Sequence, residues 1–193
     1  GEQEERADAL GGLAIGSLLS LILIYSLLAI PLKSYVQPLI IMSVIPFGAV
    51  GAIAGHYVLD QQLVFFSALG LTALSGVVVN ASLVLVDYAN KRKLEGKTPI
   101  EAILGAASIR FRPIILTSVT TFVGLIPLMS TSTPATAPFL PMVISLAWGV
   151  LFATVITLML VPCLYIIIHD FVREADSSEG EIGGLIEEPQ SAG

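Results

Sequence analysis

Three polar side chains that could carry chemistry lie within otherwise apolar stretches of this sequence: Asn80, Arg110 and Thr117. Asn80 interrupts the segment GVVVNASLVLVDYAN, whereas Arg110 and Thr117 belong to RFRPIILTS. Polar groups inside lipid are functional candidates because burying them without a partner is costly. An amide at the depth of Asn80 must find a hydrogen-bond partner, which we expect on a neighbouring helix. Asn80 is therefore a candidate for a proton path or for a hydrogen bond that holds two helices together.

The other two candidates have structural interpretations as well. Threonines in membrane helices often donate back to their own backbone, and Thr117 begins a hydroxyl-rich stripe with Thr120 and Thr121. Arg110 and Arg112 precede an apolar segment, where arginines commonly anchor a helix at the membrane surface. A functional Arg110 would instead face an acidic group supplied from outside this chain.

Asp87 is the carboxylate nearest to these residues in the sequence. It falls at the end of its apolar segment, close to Lys91 and Arg92. We expect Asp87 to be solvated there rather than to pair with Arg110.

The sequence contains no recognisable constellation for enzymatic catalysis. No apolar segment carries paired carboxylates, and neither an HExxH motif nor a phosphate-binding loop is present. The two histidines, His56 and His169, are far apart, and Cys163 is the only cysteine. We expect neither an enzyme nor a bound metal or cofactor.

Composition places the chain in the membrane. Of its 193 residues, 55% are hydrophobic and 12% are charged, and the mean hydropathy is +0.89. These values lie far from those of soluble domains. The net charge of -6 comes mainly from acids near the two ends of the chain, so it does not describe a binding site, and we expect no nucleic-acid partner.

Long uncharged runs predict five membrane spans, since about 20 apolar residues cross a bilayer. A 3-proline polar segment, STSTPATAPFLP, separates the last two. Thr98, Pro99 and Glu101 have the pattern of a helix start and predict a short helix on the cytoplasmic membrane surface. The predicted fold is thus an all-α membrane protein with five transmembrane helices and this surface helix. The predicted spans are 9–32, 34–59, 61–89, 113–129 and 140–168.

Two further features complete this organisation. Small residues recur at helical spacing in FGAVGAIAG, at Gly48, Gly51 and Gly55, and predict close packing against another helix. Residues 1–173 form the membrane region, whereas residues 174–193 are acidic and rich in glycine and serine, which predicts a disordered cytoplasmic tail.

The charge pattern predicts orientation. Most of the nine cations lie between Lys91 and Arg112, and the positive-inside rule places that loop in the cytoplasm. Alternation then puts the N-terminus outside and the C-terminus in the cytoplasm. Because the chain has five spans and starts with glycine instead of methionine, we expect it to be a fragment of a longer protein.

The motifs GVVVNASLVLVDYANKRK, RFRPIILTSVTTFVGLIPL and FLPMVISLAWGVLFATVITLMLVP together resemble the resistance-nodulation-cell division (RND) superfamily. More narrowly, residues 1 to about 173 are similar to the C-terminal membrane half of its bacterial inner-membrane pumps for hydrophobic and amphiphilic compounds. The five spans would correspond to the eighth to twelfth helices of that family, with a periplasmic N-terminus.

The resemblance implies a proton-driven antiporter. In the family, two aspartates on the fourth helix form a proton relay with a lysine on the tenth helix and an arginine and a threonine on the eleventh. Arg110 matches the arginine and Thr117 the threonine. The family asparagine matches Asn80, and the preceding lysine position falls on Val79, which cannot neutralise an aspartate.

The resemblance also implies partners. These are the N-terminal half of the same transporter, two further copies in a homotrimer, membrane lipid, a periplasmic adaptor and an outer-membrane channel. Two alternatives to an efflux pump stay open at this point: a non-transporting membrane scaffold or assembly partner, and an RND-related protein-export or lipid transporter.

Overall fold

Six α-helices make up the computed structural model, which describes residues 1–130 and 133–186. Five helical segments are long and apolar enough to cross a membrane: Ala7–Leu32, Gln37–Val58, Phe65–Leu94, Pro99–Ser130 and Ala137–Val172. This confirms the predicted all-α fold with five spans. The helices are α1 (Glu2–Leu32), α2 (Gln37–Met42), α3 (Ile45–Val58), α4 (Phe65–Leu94), α5 (Pro99–Ser130) and α6 (Leu140–Ile186).

Helix α6 is the centre of the bundle, because it packs against α3, α4 and α5, whereas α1 packs at the periphery against α2 and α4. The core consists of aliphatic residues, such as Ile41, Leu85 and Val161, that are almost completely shielded. Helices suit a hydrocarbon environment because they make their backbone hydrogen bonds within the segment.

The second predicted span, 34–59, is divided in the structure into α2 and α3. The break falls at Ser43 and Val44, just before Pro46 in the first turn of α3. Proline has no N–H for the carbonyl four residues earlier, and its ring crowds that carbonyl. The proline therefore starts a new helix where an uninterrupted one was expected.

The predicted surface helix is not separate from the fourth span, which corrects that prediction. Thr98 and Glu101 do form the expected capping box, with Glu101 N–H donating to Thr98 Oγ1 at 3.3 Å and Thr98 N–H donating to Glu101 Oε2 at 3.1 Å. The helix that begins there continues through Pro113 to Ser130. Pro113 removes only the hydrogen bond to the Ile109 carbonyl, and membrane helices tolerate such an internal proline where the surroundings satisfy the freed group.

The tail predicted to be disordered from residue 174 also differs from the structure over its first part. Helix α6 extends to Ile186, and residues 187–193 lie outside the described residues. Adding residues to an existing helix avoids the cost of nucleation, so α6 can continue into an acidic, glycine-containing segment.

The predicted small-residue face on α3 is confirmed. A Cβ atom at Gly51 would lie 2.3 Å from Phe152 Cβ, and one at Gly55 would lie 2.3 Å from Trp148 Cγ. Only glycine therefore permits α3 and α6 to approach so closely. A polar contact joins α3 to α4 as well, since His56, which is 2% exposed, contacts Ser67 Oγ through Nε2 at 2.9 Å.

Replacing Gly55 with alanine tests this packing. We expect Gly55→Ala to destabilise the bundle by about 1–3 kcal/mol, as overpacking of a well-packed core does, and to lower the thermal unfolding temperature of the detergent-purified protein. Gly76→Ala is the matched control, because a Cβ at Gly76 has no atom within 4 Å. Equal unfolding temperatures for the two variants would contradict the close approach of α3 and α6.

Candidate functional groove

Helices α4, α5 and α6 enclose a groove of about 140 Å³ that brings the three predicted site residues together. Asn80 reaches it from α4, Arg110 and Thr117 from α5, and Thr154 and Thr157 from α6. Arg110 and Thr117 share a face of α5 because seven residues are about two helical turns. The sequence motifs that flank the basic loop therefore converge on one place.

Arg110 supplies the positive charge of the groove. Its side chain is half-buried, and its guanidinium carbon lies 4.8 Å from the centre of the Tyr88 ring, within range of a cation–π interaction. Arg110 Nε is buried and has no hydrogen-bond partner among the described residues. Arg110 is thus oriented by an aromatic ring while it retains donors for an acceptor from elsewhere.

No described carboxylate neutralises Arg110. The ion pairs between described residues join Lys91 to Asp87, at 2.7 Å, and the N-terminus to Glu4. Asp87 therefore pairs with Lys91, in agreement with its predicted position among the cations at the end of α4. An unpaired guanidinium next to an apolar bundle favours an incoming anion.

The hydrogen bonding of Asn80 differs from the prediction. We expected a hydrogen bond to a neighbouring helix, but the side chain is exposed on the groove and has no partner among the described residues. Hydrogen bonding between the described helices thus does not account for this asparagine. Its amide can donate to and accept from a group that enters the groove.

Val79 and Asn80 point in different directions, because successive residues of a helix are about 100° apart. Val79 is 5% exposed and belongs to the hydrophobic core. The resemblance assigned the family lysine to Val79, yet the groove beside Arg110 and Thr117 is lined by Asn80. A lysine ammonium at position 79 would be directed into the core instead.

Thr117 donates its hydroxyl proton to the Pro113 carbonyl, as the structural interpretation of this stripe predicts. Thr121 donates in the same manner to the Thr117 carbonyl at 2.8 Å. Both side chains nevertheless line the groove. Their oxygen lone pairs remain available to accept a proton donor such as water or a carboxylic acid.

Sequence reasoning missed the contribution of α6. Thr154 Oγ1 lies 2.5 Å from Ser118 Oγ, and Thr157 Oγ1 lies 3.5 Å from Ser82 Oγ. These hydroxyls are buried between helices. The sequence did contain a signal: Thr154 and Thr157 are three residues apart within an apolar run, which places both on one face of a helix.

The fold and groove define a multi-pass, all-α membrane protein with a polar, cationic site between its helices. Comparison with known proteins gives the family: residues 1–169 match the AcrB/AcrD/AcrF family. The chain belongs to this family of RND efflux transporters, whose members are transporters rather than enzymes. Such pumps generally form trimers that work with an adaptor and an outer-membrane channel.

Individual relatives agree with this assignment. The chain is 32% identical over 158 residues to multidrug resistance protein MdtC of Proteus mirabilis, covering 81% of this chain and 15% of that protein. It is 29% identical to swarming motility protein SwrC of Bacillus subtilis over 94% of this chain and 17% of the relative. A crystal structure of a heavy metal efflux pump superposes with a TM-score of 0.78 and 27% identity, over 88% of this chain and 17% of the pump. The chain therefore spans about one-sixth of the length of these relatives.

The different orientations of residues 79 and 80 can be measured by thiol labelling. In a Cys163→Ser background, which removes the exposed native cysteine, we expect Asn80→Cys to react with N-ethylmaleimide several-fold faster than Val79→Cys, because thiol reactivity depends on access. The two variants are neighbours at the same depth, so each is a control for the other. Equal rates, or faster reaction at position 79, would show that Asn80 does not face the groove.

Proposed function

We propose that this chain is the C-terminal membrane portion of a proton-driven RND efflux transporter, and that Asn80, Arg110 and Thr117 contribute part of its proton relay. The observation that carries the proposal is the convergence of these three side chains on one groove with an unneutralised cation. The groove supplies the cationic and hydroxyl part of a relay, whereas the acidic part comes from the N-terminal half of the transporter.

Arg110 would sense the protonation state of an acid that packs over the groove. A deprotonated carboxylate attracts the guanidinium and accepts charge-assisted hydrogen bonds, whereas a protonated acid loses most of that attraction. Proton binding would therefore release α5 from the acid-bearing helix. Such a change in helix packing can couple the proton to a movement of the transporter.

Asn80 would take the place in the groove of the family lysine, although the resemblance aligns that lysine with Val79. An amide hydrogen-bonds to a carboxylate but does not neutralise it. If two aspartates face this groove, Arg110 is the one cation that the described lining places opposite them, and repulsion between two nearby carboxylates favours a state in which one keeps its proton. Coupling would then depend on a single arginine assisted by Asn80 and Thr117.

Several properties of the whole transporter belong to the same proposal. The position of the basic loop supports a bacterial inner-membrane protein with a periplasmic N-terminus and a cytoplasmic C-terminus. Family membership supports a homotrimer with a periplasmic adaptor and an outer-membrane channel. The similarity to MdtC supports export of hydrophobic or amphiphilic compounds.

Proton-coupled efflux by the intact transporter tests the relay. We expect Asn80→Ala and Thr117→Ala each to lower the transport rate about fivefold, because one net hydrogen bond of about 1 kcal/mol corresponds to that factor. Thr120→Ala is the matched control for Thr117→Ala. Thr120 also donates to its own helix, to the Leu116 carbonyl at 2.8 Å, but it does not line the groove. Unchanged transport in both test variants would remove Asn80 and Thr117 from the mechanism.

A second experiment asks which position can hold the family lysine. We expect Asn80→Lys to fold and to retain proton-coupled efflux, because an ammonium there would enter the groove. Val79→Lys would place a charge in the hydrophobic core and should lower the unfolding temperature and the yield of folded protein. Efflux supported by Val79→Lys but abolished by Asn80→Lys would reverse the assignment.

A further inference from the structure

A second cavity, of about 530 Å³, lies at the end of the bundle that carries the basic loop. Its walls come from the α1–α2 connection, the last turn of the α4 span and the last turns of the α6 span. The lining is polar on one side, at Ser34, Gln37, Lys93, Tyr165 and His169, and apolar on the other. The cavity is separate from the relay groove, whose lining contains none of these residues.

A hydrogen-bond network fixes the polar wall. Asn90 Nδ2 donates to Gln37 Oε1 at 2.7 Å, and Gln37 Nε2 donates to Asn90 Oδ1 at 3.2 Å. Tyr165 O–H donates to the same Asn90 oxygen at 2.8 Å. The network joins α2, α4 and α6, so the shape of the cavity is built into the helix packing.

Lys93 brings a positive charge to this wall. Its ammonium lies 2.9 Å from His169 Nε2, and since an ammonium can only donate, this imidazole nitrogen is the acceptor. One hydrogen bond leaves Lys93 with two further donors. Lys93 forms no ion pair with any described carboxylate, in contrast to Lys91 on the same helix, which pairs with Asp87. None of the residues lining the cavity is acidic.

The cavity also lies near the ends of two spans, where lipid headgroups are expected. The α4 span ends at Leu94 and the α6 span at Val172, one and three residues beyond Lys93 and His169. Apolar side chains flank the polar wall towards the membrane: Val36 and Val172 line the cavity, and Tyr35 and Phe171 beside them are 80% and 74% exposed. A ligand that fits both parts combines an anion with an apolar body.

We propose that this cavity binds the headgroup of an anionic phospholipid, with Lys93 donating to the phosphate. Basic pockets between membrane helices are suited to such headgroups. The polar wall would receive the phosphate and the exposed apolar rim would contact the acyl chains. The bound lipid would bridge α2, α4 and α6 at the membrane surface.

Lipid binding to the intact, detergent-purified protein tests the proposal. Native mass spectrometry during titration with phosphatidylglycerol is expected to show a site whose dissociation constant rises about fivefold in Lys93→Gln, because each lysine near the surface contributes about 1 kcal/mol to anionic lipid binding. Lys91→Gln is the matched control and should leave that constant unchanged. Lys93→Arg should retain binding, since it keeps the charge, and it shows that any loss in Lys93→Gln does not come from misfolding.

Three results would overturn the proposal. Equal losses in Lys93→Gln and Lys91→Gln would indicate general surface attraction rather than this cavity. Equal affinity for phosphatidylcholine would show that the anionic charge is not recognised. Displacement of the phospholipid by inorganic phosphate at similar concentration would identify a free anion as the ligand instead of a lipid.

Discussion

Close approach between α6 and its neighbours is the constraint on which the rest of the structure depends. Lipid tails are as apolar as the helix surfaces, so helices in a membrane associate mainly through van der Waals packing and a few hydrogen bonds. Gly51 and Gly55 bring α3 against Trp148 and Phe152 of α6, and Gly149 of α6 receives Leu74 of α4. With α6 held in this way, Thr154 meets Ser118 of α5 and Thr157 meets Ser82 of α4. The groove between α4, α5 and α6 thus depends on the packing of α6 against its neighbours.

Some polar side chains of the bundle are paired across helices, whereas others have atoms without a described partner. Ser118 with Thr154 and His56 with Ser67 are buried and paired across helices, which removes the cost of placing them in an apolar interior. Asn80 and Arg110 are different, because each has polar atoms without a partner among the described residues. Arg92 Nε and Ser145 Oγ are also buried without a described partner, so the function proposed for the groove rests on Asn80 and Arg110 lining it together with Thr117.

The sequence alone predicted the features that depend on composition and on local pattern. Uninterrupted apolar runs were sufficient for five spans, and the spacing of Gly48, Gly51 and Gly55 predicted a packed face. The predicted capping box at Thr98 is confirmed. Whether the helix that starts there ends before Pro113 depends on how much free energy this internal proline costs in its surroundings, which a sequence pattern does not give. The break before Pro46 and the continuity through Pro113 show that the same residue type has opposite outcomes. Predicting the hydroxyl pairs between α4, α5 and α6 requires knowing which helices are neighbours, and the hydropathy pattern does not give that.

In the candidate site, a single residue marks the limit of what the sequence comparison predicts. The family resemblance implied that Arg110 and Thr117 belong to one proton relay, and both residues line the groove. On a helix, however, side chains one residue apart differ in direction by about 100°. A lysine at position 80 would therefore bring a positive charge to the groove, whereas a lysine at position 79 would not. Burial distinguishes the two side chains: Val79 packs in the core, and Asn80 lines the groove. The groove therefore presents a polar but uncharged group on α4 and a cation on α5, so the electrostatic part of the proposed relay would depend on Arg110.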